Sequence, residues 1–185
     1  MQDIKSIANK IKEAGGNLYL VGGAVRDKLL GKTTHDEDYC VVGLTADIFE
    51  KLFPEAYPRG KAFLVYDLYG KEFAMARAEH KSGKKHFDFE IISNKEITIE
   101  QDLSRRDITI IDPYNGISDF KNKIIKATSE KFKEDPLRAY RAARFASKFG
   151  FEVDEYTINL IKSLKNELKY LSEERVFDEF RKALN

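Results

Sequence analysis

The segment between Leu18 and Val42 constrains the fold more than any other part of the chain. Leu18 to Val21 is an apolar run that ends in two glycines, a helical stretch follows from Ala24 to Leu30, and Tyr39 to Val42 is a second apolar run. Short apolar runs bounded by glycine are typical of buried strands, and an apolar run that leads through glycine into a helix predicts a strand–turn–helix unit. The chain is therefore expected to begin as a mixed α/β domain.

Apolar periodicity predicts the remaining elements of this first part. Spacing of three and four residues indicates helices, and alternation of apolar and polar residues indicates strands. The predicted elements are a helix between Asp3 and Gly15, a helix capped by Thr45 and ending near Phe53, a strand pair within Ala62–Ala76 that turns at Tyr69–Lys71, a mobile loop at His80–Lys85, a strand at Phe87–Ile92 and a turn at Pro113–Gly116.

After about Thr128 the pattern changes to helices alone. A helix is predicted over Asp135–Phe149, a second carries an apolar stripe from Ile161 to Leu171, and the last runs from Ser172 with Val176, Phe180 and Leu184 facing inward. The predicted fold class is therefore α/β (α+β): a mixed domain over residues 1–128 followed by an all-helical domain over residues 129–185.

Composition excludes several classes of protein. Apolar residues make up 42% and charged residues 34% of the 185 residues, and no apolar run approaches the roughly 20 residues that a membrane span needs. Neither a membrane span nor a secretory signal is therefore expected. The single cysteine, Cys40, cannot form an internal disulfide or a cysteine zinc site. A reducing compartment, the cytoplasm, is the expected location.

The glycine pair Gly22–Gly23 is a candidate phosphate-binding turn. Glycine lets a backbone approach a phosphate closely, and the N–H groups at the start of the following helix are unpaired. Arg26 lies about one turn into that helix, where it could contact a phosphate oxygen. The alternative is an ordinary strand–helix turn with a surface arginine, and the glycine pair by itself does not decide between them.

Two carboxylates next to the second strand are candidate ligands for Mg²⁺. In extended backbone, residues two apart point to the same side, so Asp36 and Asp38 are expected to converge while Glu37 points away. Mg²⁺ is bound by one or two carboxylates together with substrate phosphates. An acidic loop without metal is the competing interpretation.

Two further clusters could contact a nucleotide or could be internal ion pairs. Arg105 and Arg106 are adjacent and are followed by Asp107. Asp135 and Arg138 are three residues apart at a predicted helix start, so they are neighbours that offer hydrogen-bond acceptors beside a planar fork of donors. Such a pair could read the edge of a nucleobase; Arg141 shares a helix face with Arg138, and Arg144 begins to leave that face.

Taken together, these segments resemble the class II tRNA nucleotidyltransferase and bacterial poly(A) polymerase family over about residues 17 to 185. The order of the segments along the chain is that of the family's motifs. Gly22-Gly23-x-Val25-Arg26-Asp27 with Asp36-x-Asp38 resembles motif A, Arg105-Arg106-Asp107-Ile108-Thr109 motif B, Asp112-Pro113-x-x-Gly116-x-x-Asp119 motif C, and Glu134-Asp135-Pro136-Leu137-Arg138 motif D.

The resemblance implies a polymerase-beta-like nucleotidyltransferase head with a small mixed sheet and a helical neck that selects the nucleotide. It implies addition of C and A from CTP and ATP to the 3′ end of tRNA, with release of pyrophosphate. The implied catalytic and metal-binding residues are Asp36 and Asp38, which would hold Mg²⁺. The implied nucleotide-binding residues are Gly22, Gly23, Arg26, Arg106, Asp107, Asp135, Arg138, Arg141 and Arg144.

Two departures from the family keep alternatives open. The interval between Thr109 and Asp112 is shorter than in the family, and family members continue past the neck into domains that hold tRNA, whereas this sequence ends at Asn185. The alternatives are a poly(A) polymerase or A-adding enzyme, and a nucleotide- or RNA-binding module without turnover. No oligomeric state is predicted.

Overall fold

The computed structural model describes residues 3–34, 37–59, 64–81, 89–106 and 115–184. The described residues form two compact units, the first ending at Asp102 and the second beginning at Leu103. Within the described ranges, no helix is long and apolar enough to cross a lipid bilayer.

The first unit is built on a mixed sheet. Its elements are α1 (Ile4–Glu13), β1 (Asn17–Val21), α2 (Gly23–Leu29), β2 (Asp38–Val42), α3 (Ala46–Leu52), β3 (Tyr57–Pro58), β4 (Val65–Leu68), β5 (Lys71–Met75), β6 (Ala78–Lys81), β7 (Phe89–Ile92) and α4 (Ile99–Ser104), whose last two residues belong to the second unit. Five of the described strands form one sheet in the order β1-β2-β5-β4-β3, and β6 pairs with β7. The β2–β5 pair is parallel and the other neighbours in the large sheet are antiparallel.

The centre of this sheet is covered by helices, which explains its apolar strands. Tyr39, Cys40 and Val41 of β2 are all buried, as expected for a central strand with both faces covered. The ring of Tyr39 stacks on Phe73 of β5 at 5.2 Å between centroids. From α1, Ile7 enters the same core. The first strand–helix unit and the strand pair with its turn at Tyr69–Gly70 are confirmed.

The second unit is mainly helical. It contains α5 (Gly116–Lys121), β8 (Ile124–Ile125), a 3-10 turn at Glu130–Glu134, α6 (Leu137–Phe149), β9 (Glu152–Val153), α7 (Glu155–Ser163), a 3-10 turn at Leu168–Tyr170 and α8 (Glu173–Leu184). Because β8 pairs in parallel with β9, residues before the predicted boundary at 128 lie in this unit. The fold class, a mixed α/β part followed by a helical part, is confirmed, although the helical part contains one short strand, β9.

Several local predictions are wrong in instructive ways. His80 and Lys81 belong to β6 instead of a loop, because their backbone pairs with β7, and residues 82–88 lie outside the described ranges. The helix between Thr45 and Phe53 is confirmed with Thr45 as its N-cap residue, although the Thr45 side chain makes no capping hydrogen bond with described residues. The helix carrying Ile161 ends at Ser163, so the predicted stripe to Leu171 does not continue along one helix.

The inward face of α8 is also different from the prediction. Phe180 is 57% exposed and Leu184 is 89% exposed, whereas Glu179 is only 3% exposed. Successive helical residues are separated by about 100° around the helix axis. When Glu179 faces the interior, Phe180 therefore points away from it. The cause is Arg144 on α6, which faces Glu179.

Candidate functional site

The turn between β1 and α2 has a backbone that requires glycine. Gly22 has φ 70° and ψ −144°, and a Cβ atom built on it would lie 3.3 Å from Oδ2 of Asp38. Side-chain-bearing residues strongly disfavour this backbone conformation. Gly22 therefore allows the Asp38 carboxylate to approach the main chain of the turn closely.

Asp38 is positioned by two neighbouring strands. It begins β2, pairs in register with Val21 at the end of β1, and pairs on the other side with Glu72 of β5. Its side chain is half-buried and lies against Gly22, so a carboxylate oxygen is held beside the candidate phosphate-binding turn. Carboxylate oxygen is the ligand type that Mg²⁺ takes in proteins, so Asp38 fits that ion. Asp36 lies outside the described residues, and its convergence with Asp38 stays a prediction.

Glu37 points to the side of the backbone opposite Asp38, and three side chains bind its carboxylate. Lys28 of α2 forms an ion pair with Oε1 at 2.9 Å, and Lys71 of β5 forms one with Oε2. The hydroxyl of Tyr39 donates to Oε2 at 2.9 Å. The hydrogen bonds from Lys71 and then Lys28 lower the pKa of Glu37 from 4.5 to about 2, although burial acts in the opposite direction. Glu37 is therefore ionised throughout the neutral range.

Arg26 lies over the same turn. A Cβ atom on Gly23 would be 3.3 Å from a terminal guanidinium nitrogen of Arg26. The guanidinium also forms an ion pair with Asp27 at 2.8 Å, with both side chains partly exposed. A phosphate oxygen that bound this guanidinium would compete with the Asp27 carboxylate for it.

The first turn of α6 holds Asp135 in a defined orientation. One carboxylate oxygen accepts the main-chain N–H of Leu137 at 3.1 Å. The other oxygen forms an ion pair with Arg175 of α8 at 2.9 Å. The helix begins at Leu137, two residues later than predicted, because Asp135 is extended and its side chain caps the first turn.

Arg138 is fixed by main-chain carbonyls. Its two terminal nitrogens donate to the carbonyl oxygens of Lys131 and Arg105, each at 2.6 Å. These two hydrogen bonds hold the plane of the guanidinium in one orientation. A rigid, planar donor fork suits recognition of a planar partner such as a base.

Arg144 is held by a largely buried ion pair with α8. Its Nε donates to Oε2 of Glu179 at 2.7 Å, and its guanidinium carbon lies 4.0 Å from the centre of the Phe145 ring. This pair links α6 to α8 in the interior of the second unit. Nucleotide contact by Arg144 therefore stays a prediction, and it would require this ion pair to open.

Three further residues, Arg106, Asp107 and Arg141, were predicted to bind the nucleotide. Arg106 is half-buried, and its carbonyl oxygen accepts the hydroxyl of Thr128 at 2.7 Å. Arg141 is half-buried on α6, and Asp107 lies outside the described residues. The first unit thus brings together Gly22, Gly23, Arg26 and Asp38, while the second contains Arg106, Asp135, Arg138, Arg141 and Arg144.

Sequence reasoning missed the partners that orient these residues. Glu37 was expected only to point away, yet it is bound by Lys28 and Lys71. Arg175 and Glu179, which pair with Asp135 and Arg144, were given no role. Their spacing of four residues on one predicted helix was the available signal, since it places both on one face.

The chain matches two protein families along its length. Residues 18–126 match the family described as the Poly A polymerase head domain, and residues 150–185 match the probable RNA and SrmB-binding site of polymerase A. The multifunctional CCA protein of Vibrio vulnificus strain YJ016 is 44% identical over 187 residues, covering 90% of this chain and 45% of that protein. The CCA-adding enzyme of Francisella tularensis subsp. novicida is 44% identical over 184 residues, covering 90% of this chain and 50% of that enzyme.

Solved structures of CCA-adding enzymes have the same fold. An apo form matches with a TM-score of 0.81 at 28% identity, covering 97% of this chain and 48% of the other. The Bacillus stearothermophilus CCA-adding enzyme in complex with CTP matches with a TM-score of 0.76 at 29% identity, covering 99% and 48%. The Thermotoga maritima CCA-adding enzyme complexed with tRNA matches with a TM-score of 0.75 at 27% identity, covering 98% and 46%. The chain thus spans about half the length of the relatives it matches.

Proposed function

This chain belongs to the family of class II CCA-adding enzymes and poly(A) polymerases, and on that premise we propose that it adds C and A from CTP and ATP to the 3′ end of tRNA. The observation that carries the proposal is Asp38 held against the Gly22 turn, with Arg26 over Gly23. Two relatives named for CCA addition are each 44% identical to it. We place the protein in the cytoplasm, where its buried cysteine stays reduced.

In the first unit, Asp36 and Asp38 would hold Mg²⁺ and Arg26 would bind the triphosphate. When bound, Mg²⁺ would lower the pKa of the attacking 3′-hydroxyl and would neutralise negative charge on the leaving pyrophosphate. Gly22 keeps the Asp38 carboxylate next to the main chain of the turn. The protein's part is therefore to gather the charged groups around the α-phosphate, where the new ester bond forms and the bond to pyrophosphate breaks.

In the second unit, Asp135 and Arg138 would select the base. The amino groups of cytosine and adenine are donors that a carboxylate accepts, and the ring nitrogen acceptors beside them suit a guanidinium. Asp135 shares its oxygens with Leu137 and Arg175, and Arg138 is held by two carbonyls, so both are oriented before a nucleotide binds. Uracil and guanine present a carbonyl oxygen where the carboxylate expects a donor, so they would be rejected.

The proposed function is tested by incorporation of labelled nucleotide. The protein is incubated at low ionic strength with Mg²⁺, labelled CTP or ATP, and tRNA lacking its 3′ CCA sequence, because phosphate contacts weaken as salt rises. Addition of C followed by A is the expected result. Runs of A alone would support a poly(A) polymerase or A-adding enzyme instead. Retained nucleotide binding without incorporation would identify a binding module.

Arg138→Ala is expected to reduce nucleotide selectivity. A bidentate side-chain–base contact supplies about 1–3 kcal/mol of discrimination, so the preference for CTP over UTP should fall about tenfold or more. The measurement is kcat/KM for each nucleotide. Lys148→Ala, an exposed change on the same helix, should leave the preference intact. Unchanged selectivity in Arg138→Ala would rule out the base-reading role.

A further inference from the structure

Glu37 links α2 and β5 through two ion pairs. Its Oε1 binds Lys28 of α2, which is the helix that follows the glycine turn, and its Oε2 binds Lys71 of β5. Glu37 thus ties the helix after the turn to the strand that pairs in parallel with β2.

The third partner of Glu37 connects this link to the core. The Tyr39 hydroxyl donates to Oε2, while its ring is buried against Phe73 of β5. The packing of its ring therefore fixes the position of the Tyr39 hydroxyl. Since Glu37 and Tyr39 share one side of the extended segment, Asp38 is directed to the other side, where its Oδ2 lies against Gly22.

We propose that Glu37, held by Lys28 and Lys71, is a positioning residue that sets the direction of the Asp38 carboxylate. The inference rests on the proposed function, because it takes Asp38 as a metal ligand. Rotation of the extended backbone at residues 37–39 about its own axis would move the Asp38 side chain away from the glycine turn. The three contacts to Glu37 resist that rotation, because they come from α2, β2 and β5.

A positioning role for Glu37 and a purely electrostatic role for Lys71 predict opposite effects of Lys71→Met on cation affinity. Removing a lysine makes the surroundings of the metal site more negative, so electrostatics alone would tighten cation binding. Loss of the contact with Glu37 loosens the segment, so positioning predicts weaker binding. Partners that orient metal ligands typically change metal affinity about 10–100-fold when they are removed.

The test measures Mn²⁺ binding to the full chain by electron paramagnetic resonance, with Mn²⁺ alone as the probe. Lys71→Met is expected to raise the Kd for Mn²⁺ about tenfold. Glu37→Gln should weaken binding in the same direction. Lys12→Met, an exposed lysine change on α1, is the matched control and should bind as the wild type does.

The outcomes separate this inference from the proposed function. If Asp38→Ala abolishes Mn²⁺ binding while Lys71→Met binds as tightly as the wild type or more tightly, the positioning role of Glu37 is wrong and the metal assignment stands. If Asp38→Ala binds Mn²⁺ like the wild type, the metal assignment fails and the positioning role fails with it. Thermal unfolding of each variant identifies any that do not fold, and Lys71→Met decides the result if Glu37→Gln is among them.

Discussion

Replacing Asp36 and Asp38 together by alanine is expected to reduce nucleotide transfer to less than about one-thousandth of the wild-type rate, a loss of about 4 kcal/mol of transition-state stabilisation. Both carboxylates are the proposed Mg²⁺ ligands, and the transferred phosphate carries negative charge that neither Arg26 nor the main chain can replace. The measurement is single-turnover incorporation of labelled CMP into tRNA lacking its 3′ end.

The fold should survive this change. The hydrogen bonds that pair β2 with β1 and β5 come from the main chain, and the Asp38 side chain is half-buried instead of part of the core. Circular dichroism and the unfolding midpoint should therefore stay close to those of the wild type. Glu13→Ala, which removes an exposed carboxylate on α1, should transfer nucleotide normally. Turnover that persists in the double variant would refute the metal assignment.

Glu179→Ala is expected to lower the free energy of unfolding by about 3–5 kcal/mol, because removing one partner of a buried ion pair leaves the other charge uncompensated. Arg144 is 12% exposed and Glu179 only 3% exposed, so water cannot easily replace the lost carboxylate. The measurement is urea unfolding. Glu174→Ala, an exposed change on the same helix, should cost much less.

A double variant separates loss of the charge pair from loss of packing. Arg144→Met with Glu179→Leu replaces both charges by apolar groups, and such replacements of buried pairs are often neutral or stabilising. The double variant should therefore be more stable than Glu179→Ala. If it is as unstable as the single variant, the ion pair is not the main link between α6 and α8.

The same ion pair makes the stability depend on pH. Burial raises the pKa of Glu179, but the hydrogen bond and charge of Arg144, together with those of Lys182, outweigh it, so the pKa lies below its usual 4.5. A carboxyl whose pKa is lowered by folding stabilises the protein above its unfolded pKa. The stability difference between the wild type and Glu179→Gln should be largest above about pH 4.5 and should narrow as the pH falls further.

The sheet of the first unit was predictable because its signals are local. Leu18–Val21 and Tyr39–Val42 are apolar because β1 and β2 are covered by neighbouring elements, and the glycine pair between them is required by the backbone of the turn. Alternation along the strand was sufficient to place Glu37 opposite Asp38. The resemblance to the family's motifs indicated the chemistry, because a motif is recognised from residue types and their order along the chain and needs no knowledge of tertiary contacts.

The pairing of charged side chains across the sequence was not predictable. Apolar spacing selected Phe180 as the inward residue of α8, but the structure buries Glu179, because Arg144 stands 35 residues away on the facing helix. The partner of Asp135 proved to be Arg175, 40 residues further along, although Arg138 is its near neighbour in sequence.

The sequence by itself thus determined the first strand–turn–helix unit, the strand pair that turns at Tyr69–Gly70 and the two groups of residues that the proposed chemistry uses. Backbone conformation and apolar periodicity depend on residues within one or two turns of each other, so they can be read along the chain. Only the tertiary structure decided which charges are buried and which carboxylate each arginine holds. A buried charge is stable only opposite a partner, and that partner is supplied by the packing of distant helices.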